Sequence, residues 1–201
     1  QKSLELSTGN KRLNSSPEFE AAALVELLVI VRSAHGAGEF ATGLGYLESL
    51  TNAADRLAGI RTKFPVLHPC SAATLLCGIA EVCLLYGHEE RGEQYARLYA
   101  AMAKLAHGDG SSQAGDAHQF LSAVLAKLGK PDMALSEALR CLDARQRSCA
   151  NAWERPIADA HWNAAMLQAE LGRFDDALVS LAASRRIQLR LAGEGAETAS
   201  L

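Results

Sequence analysis

The chain has 201 residues, of which 49% are hydrophobic and only 5% aromatic, with Ala and Leu recurring throughout. That is enough apolar side chain for a sizeable core; it excludes a disordered polypeptide and disfavours an aromatic, β-branched sheet. The 20 basic and 23 acidic residues leave a net charge of −3 with both signs scattered, so no single-sign field follows a nucleic-acid backbone, and nucleic acid is not an expected partner.

Residues 1–16 lack the charged-then-apolar pattern of a secretion signal and read as a flexible segment; a chain opening on Gln1 reads as an excerpt or a processed product. The first helix is predicted over 17–35, with Ser15 and Glu18 as a capping box, or Ser16 as cap with Pro17 behind it. Ala21 to Val31 is apolar except for Glu26 and too short to span a bilayer, so no membrane insertion is expected. A helix apolar almost all round is covered on several sides: it lies under 1–16 or meets another chain, and self-association through it is a candidate. A second helix over 39–62 completes a diverged hairpin, 17–64. Gly36-Ala37-Gly38 and Gly43-Leu44-Gly45 imitate a dinucleotide loop, but no strand precedes them.

Breakers at Phe64-Pro65-Val66-Leu67-His68-Pro69, Gly108-Asp109-Gly110-Ser111-Ser112, Arg155-Pro156 and Gly193-Glu194-Gly195 divide the rest into units 65–110, 111–155 and 156–201. Helices are predicted at 70–86, 88–107, 114–128, 131–149, 157–171 and 173–192. Leu128-Gly129-Lys130-Pro131-Asp132-Met133-Ala134-Leu135 aligns with Leu171-Gly172-Arg173-Phe174-Asp175-Asp176-Ala177-Leu178, and Tyr86-Gly87-His88 is a looser copy; these glycines lie 42 and 43 residues apart. Asp116-Ala117-His118 likewise recurs 43 residues on as Asp159-Ala160-His161, and Gly38 heads a stretched copy 49 residues before Gly87. Each glycine marks the turn between two helices. In the last unit Ala160, Ala164, Leu167 and Leu171 form the apolar stripe of the first helix, and Ala177, Leu178 and Leu181 restart it on the inner face of the second. A charge at Leu178 or Leu181 is expected to loosen that unit. Ala196 to Leu201 reads as the start of a further helix, so more repeats are expected.

At Leu-Gly-(Arg/Lys)-x-x-x-Ala-Leu the sequence resembles the tetratricopeptide (TPR) family, and the long period with glycine-rich connections is most similar to its kinesin-light-chain type. The resemblance covers roughly 70–201. It implies an all-α fold, a right-handed α-solenoid of about four stacked antiparallel helical hairpins, with a concave face lined by the first helix of each pair. His118 and His161 stand in the slot of the family's early tryptophan, with Trp162 one residue beyond, and Gly92 replaces its packing alanine. Carried through the aligned glycines, the family's groove stripe falls on Glu81; on Asp116, Gln119, Phe120, Ala123 and Lys127; and on Asp159, Trp162, Asn163, Met166 and Glu170. Asn163 matches a groove asparagine of that subfamily.

The residues offer little other chemistry. Two Asp-x-His tripeptides are short of the four ligands a zinc site needs, so each Asp is expected to cap or begin a helix and each His to fill a packing slot. Five cysteines, Cys70, Cys77, Cys83, Cys141 and Cys149, form an odd set without a C-x-x-C pair and read as reduced thiols of a cytoplasmic protein. Neither a nucleophile with its base nor a phosphate-cradling loop is evident, so neither an enzyme nor a cofactor is expected. The expected function is a scaffold or adaptor module binding a peptide segment of another protein, with cytoskeletal association implied by the resemblance alone. The alternative is a ligand- or peptide-sensing module controlling an attached effector domain.

Overall fold

The structure is a computed structural model and describes residues 17–61, 69–150 and 154–198. Among these residues every regular element is a helix: α1 (Pro17–Gly36), α2 (Phe40–Arg61), α3 (Pro69–Leu85), α4 (Glu89–His107), α5 (Ser112–Lys127), α6 (Pro131–Ser148), α7 (Arg155–Glu170) and α8 (Phe174–Thr198). Consecutive helices pair as antiparallel hairpins, α1 with α2 through α7 with α8, and the hairpins stack in chain order into an α-solenoid.

The same turn closes all four hairpins. Gly38, Gly87, Gly129 and Gly172 take φ between +68° and +77°, the left-handed region open to glycine. At Gly129 the glycine N–H donates to the Ala126 carbonyl at 3.0 Å and Lys130 N–H to that of Leu125 at 2.9 Å, which satisfies the last carbonyls of α5 in a Schellman motif. The bonds recur at Gly38, Gly87 and Gly172, so the diverged first hairpin shares the device its sequence barely shows. Pro131 opens α6 in the first turn, with Asp132 beside it. Ser111 caps α5 by accepting from Ala114 N–H at 3.1 Å.

The core runs unbroken along the stack, from Leu24 and Val31 of α1 through Leu50, Ile79, Tyr95 and Leu125 to Leu135 and Leu167. Each such aliphatic side chain contributes about 1.5–3 kcal/mol on burial. Small residues set the spacing: a methyl on Gly92 would come 2.7 Å from Leu84 Cγ, so that glycine lets α4 approach α3. Polar ties join neighbouring hairpins. Tyr95 Oη of α4 donates to Asp55 Oδ1 (2.6 Å) and to the Thr51 carbonyl (3.1 Å) of α2. Lys130 and Arg173, each just past a turn glycine, reach back to Glu93 and Asp132 on the preceding second helices.

Several expectations are corrected. Gly193-Glu194-Gly195 does not end the last hairpin, and Ala196 does not start a new helix: α8 continues to Thr198. Gly193 keeps a helical backbone, since a glycine costs a helix only about 1 kcal/mol and needs a turn only where the chain must reverse. Arg155-Pro156 is the first turn of α7 rather than a linker. Asp116 and Asp159 lie one turn inside their helices, and Ser111 takes the capping role at α5. Leu181 is half-buried, but Leu178 is 64% exposed because no described helix covers that side of α8. The proposed caps Ser15 and Ser16, segment 1–16 and most of the 64–69 breaker lie outside the described residues.

Candidate functional site

α5 and α7 are related by 43 residues, so equal positions on them face the same way. Their buried stripes, Ala117, Leu121, Val124 and Leu125 on α5 and Ala160, Ala164 and Leu167 on α7, fix which residues point outward. On α5 the outward residues are Asp116, Gln119, Ala123 and Lys127; on α7 they are Asp159, Trp162, Met166 and Glu170, with Asn163 half-buried at the edge. Trp162 is 49% and Met166 53% exposed. For side chains of this size, that leaves much apolar surface available to a partner.

Between α5 and α7, over a floor supplied by α6, lies a cavity of about 310 Å³. Gln119, Asn163 and Met166 of the predicted stripe line it. Ala123, Ala126 and Ala160 make its walls, and Ala138 and Cys141 of α6 its floor. The floor escapes the sequence reading, which carried over first-helix positions alone; the signal was the pair of small residues at 138 and 141, one turn apart on α6. The chemistry is an apolar pit with two amides on its walls. Each amide both donates and accepts, the pattern that matches a peptide backbone.

The other stripe residues divide. Phe120 is half-buried edge-to-face against Tyr99 of α4, ring centroids 5.9 Å apart, and belongs to the packing between hairpins. Asp116 pairs with Arg145, whose guanidinium also donates to Ser112 Oγ at 2.8 Å. Arg145 is held so closely over α5 that a methyl on Gly115 would lie 3.3 Å from its Nε. Asp159 faces Arg155 at 3.8 Å, and Glu81 faces Arg32 of α1 at 3.2 Å. Glu81, on α3, is not among the residues that line the pit between α5 and α7.

On the second-helix side a larger cavity, about 500 Å³, lies between α4 and α6 over His118 and Glu137. Its charges are internally matched: Arg97 with Glu93, Lys104 with Asp109, Arg140 with Glu137, Asp143 with Arg147. His118 Nδ1 lies 2.7 Å from Glu137 Oε2, both side chains 9% exposed. Burial alone raises the Glu137 carboxyl, but the hydrogen bond from His118 and the Arg140 charge outweigh it and hold Glu137 below the usual carboxylate range. His118 is buried and His161 half-buried; His161 has a buried Nδ1 without a partner, and burial lowers its pKa. Among the described residues no three His, Cys, Asp or Glu side chains gather to hold a metal. No described helix is long and apolar enough to cross a membrane. Cys77, Cys83, Cys141 and Cys149 are free thiols.

No family model and no curated protein matches the chain. Its structure is similar to the crystal structure of BtubC (BKLC) from P. vanneervenii, with a TM-score of 0.58 and 12% identity over 88% of this chain and 75% of that one. At that identity the likeness concerns the fold: both are TPR-like helical repeats.

Proposed function

We propose that the chain is a protein-interaction module that holds a short segment of another protein against α5 and α7. The observation that carries this reading is the apolar pit between those helices, with Gln119 and Asn163 on its walls and Trp162 exposed nearby. One aliphatic or aromatic side chain of the segment enters the pit, where burial supplies the largest single contribution. The amides of Gln119 and Asn163 hydrogen-bond the segment's backbone on either side, fixing its register. Because Asp116 and Asp159 already have arginine partners, the segment is recognised by its apolar anchor more than by charge. A scaffold or adaptor role follows from such a site, and the kinesin-light-chain resemblance of the repeats favours the same reading.

The test is to select binding peptides from a displayed random library and compare the chain with Trp162→Ala plus Asn163→Ala. Neither side chain is part of the buried core, so helix content should survive. The selected peptides should share one large apolar residue and bind the variant at least about tenfold more weakly. Equal affinity would move the site elsewhere.

A further inference from the structure

Three joints among the described residues share one build: two successive first helices stand side by side over the second helix between them. They are α1 and α3 over α2, α3 and α5 over α4, and α5 and α7 over α6. Shifts of 42 and 43 residues lay the second joint on the third position by position. The small residues of the frame agree, with Ala96 of α4 answering to Ala138 of α6 and Ala117 of α5 to Ala160 of α7, all four buried. Matching frames enclose different spaces only through the other side chains that stand on them.

Three of those side chains are cut back in the third joint. Where α3 has Leu84, α5 has Ala126; where α4 has Tyr99, α6 has Cys141; where α5 has Phe120, α7 has Asn163. In the second joint the two rings meet edge to face, centroids 5.9 Å apart. Burial pushes the Tyr99 hydroxyl up to about 12, helped by Cys77 of α3, Asp116 of α5 and Glu81 of α3, so its tip lies between α3 and α5 as the pit lies between α5 and α7. The space left in the second joint is about 110 Å³, displaced toward Ala73 and His107. In the first joint α1 packs directly on α3, and a methyl on Gly78, the counterpart of Phe120 and Asn163, would lie 2.6 Å from Leu28 Cδ2. The third joint, by contrast, keeps its pit of about 310 Å³. That pit is the vacancy of a ring pair, deepened at the floor by Cys141 and widened at the wall by Asn163.

The lining of the vacancy is uncharged. Ser122 Oγ donates to the Ala134 carbonyl at 2.8 Å, and Asp116 and Asp159 outside the pit face arginines. A charged anchor would be buried without a partner, so the anchor is neutral. The floor carries the Cys141 sulfur and one wall the Met166 thioether, soft atoms that favour the edge of an aromatic ring over an aliphatic group of the same size.

We infer that the partner's segment seats the ring of a phenylalanine in this pit, where the preceding joint carries rings of its own, and that Cys141 and Asn163 set this preference. The inference rests on the peptide-binding reading above and adds to it the identity of the anchor. It also confines the anchor to the third joint, since Tyr99 and Phe120 already occupy the second.

The probe is a labelled peptide selected by display on the whole chain and followed by anisotropy. It should carry a phenylalanine whose replacement by alanine weakens binding at least about tenfold, and by leucine or cyclohexylalanine at least about threefold. Cys141→Tyr with Asn163→Phe transfers the ring pair of the second joint into the third; the melting temperature should hold or rise, and the peptide should bind at least about tenfold more weakly. If that variant loses helical signal, Ala126→Leu replaces it: the change transfers Leu84 of the second joint, leaves the amides of Gln119 and Asn163 in place, and should weaken the peptide at least about threefold. Equal affinity for phenylalanine and cyclohexylalanine peptides, with binding still lost on Ala123→Trp, overturns the ring assignment while the pit stands as the site. Binding that ignores Ala123→Trp overturns the pit as the site and this inference with it. Undiminished binding to the folded ring-pair variant, or to folded Ala126→Leu, overturns the equivalence of the two joints.

Discussion

Replacing Glu137 by alanine removes the acceptor that ties α6 to His118 of α5. The lost contact is a 2.7 Å hydrogen bond between two side chains that are each 9% exposed. A buried hydrogen bond to a charged group is worth about 1.5–3 kcal/mol, and the second ion pair, to the exposed Arg140 at 3.0 Å, adds at most about 1 kcal/mol. The expected destabilisation is therefore about 2–4 kcal/mol, concentrated in the third hairpin, because a repeat array loses stability locally. Hydrogen exchange read by mass spectrometry should accelerate over 112–148 before it does over 17–61. Because a single replacement also deletes packing, the decisive quantity is the coupling in a cycle of His118→Ala, Glu137→Ala and the double variant, expected at about 1.5–3 kcal/mol. The pair should also respond to acid. The Glu137 pKa is lowered in the folded chain, so its contribution is fully present above the unfolded carboxylate range and is lost as pH falls through the folded value. A coupling below about 0.5 kcal/mol, or a coupling unchanged on acidification, would refute the reasoning.

Three further outcomes follow from the same packing. Gly129→Ala should destabilise by about 1–2 kcal/mol in chemical denaturation through backbone strain alone, since its φ is +68° and a methyl there would touch nothing. Tyr95→Phe should cost about 1.5–3 kcal/mol and speed hydrogen exchange in α2 more than in α6, because it cuts the bonds to Thr51 and Asp55. Burial pushes the Cys83 thiol, and with the help of Glu81 the Cys77 thiol, up to about 11. Alkylation of both near pH 8, followed by mass, should thus be far slower in the folded chain than in urea, and equal rates would show that α3 is open.

The helical hairpins were legible because their signals are local. A glycine that must turn left, a proline in a first turn and apolar residues three and four apart sit within a few positions of what they determine. The end of α8 differs for the same reason: Gly193-Glu194-Gly195 has the composition of a break, but glycine alone does not force a turn, and the helix runs on to Thr198. Leu178 shows the limit of periodicity, which places a side chain on a stripe without saying whether anything covers it. At the candidate site the first-helix positions followed from the repeat register. The α6 floor and the Arg145–Asp116 pair did not, since they join residues brought together by the stacking of hairpins. Glu81 falls on the stripe by register, yet it sits on α3, one hairpin before the pit, where it pairs with Arg32 of α1.

The most direct measurement of the proposed peptide site fills the pit. Ala123 is exposed at its wall, so Ala123→Trp places an indole in the cavity without entering the core. The titration of a fluorescently labelled selected peptide, followed by anisotropy, should show affinity reduced at least about tenfold while helical signal and melting temperature hold. Unchanged affinity for Ala123→Trp, with the variant folded, would contradict the account.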